Sequence, residues 1–157
     1  MVNQTSQPQT GVSSYAKAAS ARLLSVQAIY EKAQNEKSTK DLYDQYIEHY
    51  EGFCMDGEQI VAPDGALFKR ILYGVDERYM ELEGVIKAHL TKDGKERIVE
   101  PLLFSILICA AYELLAHENI DAPIIINDYL NVAHAFYDSA EVGLVNAVLD
   151  KVSKVFR

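Results

Sequence analysis

The chain has 157 residues, a length that accommodates one domain with a substantial core. Its hydrophobic fraction of 49% and charged fraction of 24% exclude a collagen-like or wholly disordered chain and are typical of soluble globular proteins. The net charge of −8 argues against a uniformly basic, nucleic-acid-coating surface.

The charge is unevenly distributed along the chain. Up to Gln34 there are three basic residues and one acidic residue, a net charge of +2, whereas the remainder holds 12 basic and 22 acidic residues. The start of the chain is therefore its only electropositive segment. Such asymmetry indicates either a local contact with an anion or simply solvated lysines on a helix face.

Cysteine content and hydropathy predict a protein of the reducing cytoplasm. Cys54 and Cys109 cannot build a disulfide framework, and Cys109 lies in an apolar run, where a free thiol usually packs as a small core residue. Residues 1–14 lack the basic start and apolar stretch of a signal peptide. The most apolar run, residues 102–111, is shorter than the about 20 residues that a membrane span requires.

The composition divides the chain into a tail and one domain. Residues 1–14 are rich in Gln, Ser and Thr, which predicts a disordered tail. The domain then covers residues 15–157. Within it, the dipeptides Asp-Gly and Pro-Asp and two further glycines predict a loop over residues 52–65.

Two helices are predicted at the start of the domain. Ser13 or Ser14 can cap the first, which runs to about Gln34 with apolar residues at helical spacing. Ser38, followed by Asp41, opens the second.

After the loop, residues 66–90 return to a helical period. Gly74 and Gly84 each permit a bend or a break, and the sequence alone does not choose between them. Asp93-Gly94 ends this segment.

The next helix is expected at the centre of the fold. Pro101 suits its first turn, with Glu100 near the cap, and residues 102–115 are apolar nearly all round. A following helix begins at Asp121 and reaches Phe136 or Tyr137.

The last helix opens at Asp138-Ser139 and has the clearest amphipathic stripe of the chain: Val142, Val145, Leu149, Val152 and Phe156. Because the periodicity is helical throughout, the sequence predicts an all-α fold with no sheet.

No catalytic, metal or cofactor motif stands out. The histidines are isolated, with no HExxH pair, no glutamate followed by histidine three residues later, and no phosphate-binding glycine loop. A binding protein without enzymatic activity, cofactor or metal is therefore expected.

Several stretches carry a specific resemblance as a set. They are ARLLSVQAIY at 21–30, AYEL at 111–114, IND at 126–128, AHAF at 133–136 and VNAVLDK at 145–151. In order and spacing they resemble the bacterial NusB family of transcription antitermination factors, from about Ala18 to the C-terminus. The residues themselves indicate core packing at most of these positions, with Asn127 and Asn146 expected to satisfy buried backbone groups.

The resemblance implies a helical bundle of two packed helical subdomains. It also implies a transcription antitermination factor that binds boxA-type RNA together with a small-subunit ribosomal protein, NusE. Within an antitermination complex with RNA polymerase, such a factor promotes read-through, notably in ribosomal RNA operons. The alternative is a protein-interaction module of the same fold without RNA binding of its own.

The resemblance also suggests site residues. Arg22 matches an arginine of the RNA-contacting start of the first helix, with Lys17 and Lys32 as further basic residues of the electropositive segment. Phe136 matches an aromatic residue placed near the RNA, and Tyr30 matches a tyrosine that faces the protein partner. The alternative is that Phe136 and Tyr30 pack in the core.

Four departures from the family pattern weaken the expected RNA contact. Ala18, Ala19 and Ser20 stand where other members carry arginines, and Leu103 replaces an acidic partner contact. Ala140 and Leu144 replace, respectively, an acidic residue and a second aromatic residue. We therefore expect weak RNA binding without the partner.

Overall fold

A computed structural model describes residues 13–49, 54–55, 58–59 and 62–157 of the chain. The predicted tail therefore lies almost wholly outside the described residues, as do six of the fourteen residues of the loop predicted over residues 52–65. In the described part the chain forms seven α-helices and two very short hairpins.

The N-terminal subdomain consists of three helices: α1 (Ser14–Asn35), α2 (Thr39–His49) and α3 (Gly65–Glu77). Side chains cap their first turns, because the Ser13 hydroxyl accepts from the Ala16 amide and the Asp64 carboxylate accepts from the Leu67 amide. Ser38 does the same for the amide of Asp41 at the start of α2.

The C-terminal subdomain consists of α4 (Tyr79–Leu90), α5 (Pro101–Ala116), α6 (Ala122–His134) and α7 (Ser139–Phe156). Ten of the sixteen residues of α5 are buried, and this helix packs against α1, α3, α4, α6 and α7. Because α5 has almost no polar face, it is stable only when surrounded by other helices. The predictions of an all-α bundle with two subdomains and a central helix from Pro101 are confirmed.

The predicted absence of any sheet is wrong. Strands β1 (Cys54–Met55) and β2 (Glu58–Gln59) pair antiparallel, as do β3 (Thr91–Lys92) and β4 (Lys95–Glu96). The second hairpin turns at Asp93 and Gly94, which both have a positive φ. Asp-Gly favours that conformation and joins two strands directly, so a dipeptide expected only to end a helix also starts a hairpin.

Neither candidate glycine breaks the helical segment at residues 66–90. The break lies at Arg78, between α3 and α4. Gly74 instead lets the Tyr112 ring of α5 lie against the backbone of α3, where a Cβ atom would overlap the ring. Gly84 faces open space.

Helix α6 ends earlier than predicted. It stops at His134, and the amides of Phe136 and Tyr137 both bond to the Ala133 carbonyl in a tight turn. Phe136 therefore lies in the α6–α7 connection.

The contact at Gly74 leads to a test with an internal control. Gly74→Ala should lower the melting temperature, because the added methyl group collides with the Tyr112 ring and overpacking of a core typically costs about 1–3 kcal/mol. Gly84→Ala should leave it unchanged or raise it, since alanine favours an exposed helix by about 1 kcal/mol. Thermal unfolding followed by circular dichroism measures both. A Gly74→Ala protein as stable as Gly84→Ala would contradict the close approach.

The burial of α5 leads to a second test. Ile106 is fully buried, so Ile106→Asp places an unpaired carboxylate in the core and should abolish soluble expression. Ile98→Asp, at an exposed position, is the control and should express normally. Soluble Ile106→Asp protein with native helicity would contradict the position of α5.

Candidate functional site

The side chain of Arg22 lies in a buried network of charged and polar groups. Arg22 is 4% exposed, and its guanidinium forms a bidentate ion pair with Glu113 of α5. Nε donates to Oε2 at 2.7 Å, and Nη2 donates to Oε1 at 2.9 Å. Its remaining nitrogen, Nη1, donates to Asp128 Oδ2 of α6 at 2.9 Å. One guanidinium therefore joins α1, α5 and α6, using the planar fork that only arginine offers.

Glu113 collects further hydrogen bonds. The hydroxyl of Tyr129 donates to Oε2 at 2.5 Å, and His117 Nδ1 lies 2.9 Å from Oε1. Burial alone would raise the pKa of Glu113, but the hydrogen bonds from His117 and Arg22 and the charge of Arg22 outweigh it and lower the pKa to about 2. The carboxylate is thus ionised and can only accept, which assigns the proton of His117 to Nδ1.

The position of Arg22 contradicts its predicted contact with RNA phosphates. Its donors are all directed at protein carboxylates, and the side chain is closed off from solvent. Arg22 lies on the inner stripe of α1 with Ser25, Val26 and Ile29, at the spacing of a core-facing helix face. That spacing, together with a lone glutamate in the otherwise apolar α5, is the signal in the sequence that could have revealed the buried pair.

Lys17 and Lys32 remain at the surface but are not brought together. Lys17 is exposed in the first turn of α1, and among the described residues no carboxylate forms a salt bridge with it. Lys32 is half-buried and lies 3.4 Å from a carboxylate oxygen of Asp76 on α3. Fifteen residues of helix separate the two lysines by about 22 Å along the axis, so they cannot form one compact phosphate site.

Tyr30 and Phe136 line a single groove. The exposed fractions of the two side chains are 37% and 40%. Neither side chain therefore packs in the core, which was the alternative that the sequence left open. The groove has a volume of about 480 Å³, and its remaining lining comes from α1, α2 and the start of α5: Gln27, Glu31, Gln34, Asn35, Tyr46 and Leu102. Two exposed aromatic rings in one concavity, bordered by amides, form a surface suited to a protein side chain or an unstacked base.

The groove carries a negative charge on one wall. Glu31 Oε2 accepts from the ammonium of Lys37 at 2.6 Å, and Oε1 accepts from the hydroxyl of Tyr46 at 3.0 Å. The hydrogen bond from Lys37 is the main cause that lowers the pKa of Glu31. Glu31 is the only charged residue among those that line the groove, so the groove itself does not attract phosphate.

Two further sequence expectations are revised. Asn127 and Asn146 are exposed, not buried as expected. Leu103, expected to replace a partner contact, is buried at 3% exposure and packs in the core. Cys109 is buried as expected, and burial raises the pKa of its thiol well above the ordinary value.

The described residues hold neither a membrane-spanning helix nor a cluster of metal ligands. None of their helices is long and apolar enough to cross a membrane. Within the same residues, no three His, Cys, Asp or Glu side chains are grouped in a way that could hold a metal ion.

Comparison with known proteins gives one consistent family. The sequence model of the NusB family matches residues 19–154. The transcription antitermination protein NusB of Novosphingobium aromaticivorans is 34% identical over 148 residues, which cover 94% of this chain and 99% of that protein. The protein of the same name from Nitrobacter hamburgensis is 30% identical over 137 residues, 87% of this chain and 86% of that protein.

Solved structures agree in fold. T. maritima NusB aligns with a TM-score of 0.67 at 18% identity, covering 87% of this chain and 89% of that one. A chain from the crystal structure of antitermination factors NusB and NusE in complex with dsRNA aligns with a TM-score of 0.71 at 16% identity, covering 88% and 96%. At these identities the likeness concerns the fold alone.

The buried ion pair leads to a prediction about stability. Glu113→Gln should lower the free energy of unfolding at pH 7 by about 3–5 kcal/mol, because it leaves a buried guanidinium without its main counter-charge. The matched control is Glu118→Gln, at an exposed position just beyond the end of α5, which should change stability by less than about 0.5 kcal/mol. Urea unfolding measures both. Equal stabilities would show that the pair does not hold the helices together.

The lowered pKa of Glu113 leads to a prediction about pH. A carboxyl group whose pKa is lower in the folded state than its unfolded value of 4.5 stabilises the fold above pH 4.5, and this contribution is lost as the pH falls from about 5 towards 2. The free energy of unfolding of the parent should therefore decrease over this range, and Glu113→Gln should show a shallower decrease. Parallel slopes for the two proteins would contradict the assignment.

Proposed function

Because the chain belongs to the NusB family, we propose that it is a transcription antitermination factor that binds boxA-type RNA together with the ribosomal protein NusE. The observation that carries this proposal is the family match over residues 19–154. It is supported by two relatives named transcription antitermination protein NusB, of which this chain covers 86% and 99%. The chain would act in the cytoplasm, within an RNA polymerase complex that reads through terminators, notably in ribosomal RNA operons. Its activity is binding and assembly, not catalysis.

The groove supports a division of roles between the partner and the RNA. Tyr30 offers an exposed ring and a polar hydroxyl, a combination suited to contact with a protein partner. Phe136, which lines the same groove, offers a ring on which an unpaired base can stack. A partner docked at Tyr30 would bring its positive charge next to Phe136, where the chain has none of its own.

Phosphate contacts then come from the ends of α1. Lys17 is the exposed cation of its first turn, and Lys32 contributes less because Asp76 partly neutralises it. Arg22 has no part in this contact. Since phosphate contacts dominate RNA affinity, a chain with one or two of them binds RNA weakly by itself.

A pure protein-interaction module is the rival function. A phosphate contact loses affinity steeply as salt rises, whereas a helix-packing interface does not. The salt dependence of RNA binding in the presence of NusE, compared between the parent and Lys17→Glu, separates the two. An unchanged slope in Lys17→Glu favours the rival.

We expect cooperative assembly. NusE should strengthen binding of boxA-type RNA by at least roughly tenfold, a coupling of about 1.4 kcal/mol, because it supplies the positive charge that this surface lacks. Fluorescence anisotropy titrations of labelled RNA with and without NusE measure the gain. If NusE gave no gain and did not co-purify with the chain, the heterodimer would be excluded.

The groove residues make a separate prediction. Tyr30→Asp should remove most of the gain from NusE, and Phe136→Ala should weaken RNA binding by about 1–3 kcal/mol through lost stacking. The control is Met80→Asp, an exposed apolar residue on α4 that does not line the groove. All three should keep melting temperatures near that of the parent. A large loss of stability in Tyr30→Asp would assign that ring to packing instead.

A further inference from the structure

The buried charge cluster has one end at the surface. Asp128 uses Oδ2 to bind Arg22 and Oδ1 to accept from the hydroxyl of Tyr15 at 3.0 Å. Tyr15 is 56% exposed and is the second residue of α1. A single carboxylate of α6 therefore holds the inner face of α1 through Arg22 and its first turn through Tyr15.

The first turn of a helix needs such a contact. Its amides have no partners within the helix, and first turns fray unless something holds them. In α1 the Ser13 cap satisfies the Ala16 amide, and the Lys17 carbonyl accepts from the Asp64 amide at the start of α3. Tyr15 ties this turn to α6 through its hydrogen bond to Asp128.

Lys17 lies in the same turn, two residues further on; its carbonyl is bonded to the amide of Asp64, and Tyr15 bonds the same turn to α6. We infer that Tyr15 is a positioning residue for the RNA-phosphate contact of Lys17, holding the first turn of α1 so that binding does not first have to order it. This inference rests on the RNA contact proposed above for Lys17. A contact made by an already ordered group costs less conformational entropy than one made by a fraying turn.

The hydroxyl is suited to this role at neutral pH. A tyrosine hydroxyl is protonated at pH 7 in any case, and the hydrogen bond to Asp128 and the charge of that carboxylate raise the pKa of Tyr15 further, so the group is a donor. Phenylalanine keeps the ring and removes only the bond. Substituting Asp128 would instead disturb Arg22, so Tyr15→Phe is the clean probe.

The test is a double-mutant cycle on affinity for boxA-type RNA, measured at low salt with saturating NusE. The four proteins are the parent, Tyr15→Phe, Lys17→Gln and the double variant. Tyr15→Phe should weaken binding by roughly three- to tenfold. In the Lys17→Gln background the same substitution should have almost no effect, because there is no longer a contact to position.

A general loss of stability would not produce that pattern. Val148→Ala in α7 serves as the control, since this buried residue lies on a helix that makes no substantial contact with α1. It should lower the melting temperature but leave RNA affinity unchanged. Equal effects of Tyr15→Phe in both backgrounds would overturn the positioning role.

The two proposals can fail separately. If Lys17→Gln weakens RNA binding and Tyr15→Phe does not, the positioning role is wrong and the RNA contact stands. If Lys17→Gln leaves the RNA affinity and its salt dependence unchanged, both proposals are wrong: Lys17 does not contact RNA, and Tyr15 has no contact to position.

Discussion

The bidentate ion pair between Arg22 and Glu113 is the contact on which the rest of the structure depends. It lies where α1 crosses α5, and Asp128 and Tyr129 extend it to α6. Apolar packing alone would allow α1 to slide or rotate on the nearly uniform surface of α5. The planar guanidinium prevents both movements, because it forms its hydrogen bonds well in only one orientation. The cluster therefore sets the register between the two subdomains.

Such a cluster is costly to bury, and its completeness explains why it persists. Removing three charges from water costs several kcal/mol for each ion unless their bonding groups are all satisfied. Here each nitrogen of the guanidinium has a carboxylate partner, and each oxygen of Glu113 accepts two bonds. A cluster so fully bonded gives specificity of packing more than net stability.

The same cluster decides which part of α1 is left for binding. The inner face is occupied by Arg22 and its neighbours, so the groups of α1 that we propose for binding, at Lys17 and at Tyr30, lie outside that face. The first turn carries the exposed Lys17, whereas the last turns open onto the groove lined by Tyr30 and Glu31. In the complex proposed above, the protein partner and the RNA would therefore meet different groups of one helix.

The sequence by itself determined the helical class, a serine cap at Ser13 or Ser14, the start of α2 at Ser38, the central position of α5 and the family. These follow from periodicity, local hydrogen bonding and conserved order of motifs, which act over a few residues or along the chain. Only the tertiary structure decided that Arg22 faces inward and that Tyr30 and Phe136, 106 residues apart, share one groove. A charge near the start of a helix has the same local pattern whether it meets solvent or a carboxylate 91 residues away. Which of the two it meets depends on how α1 packs against α5.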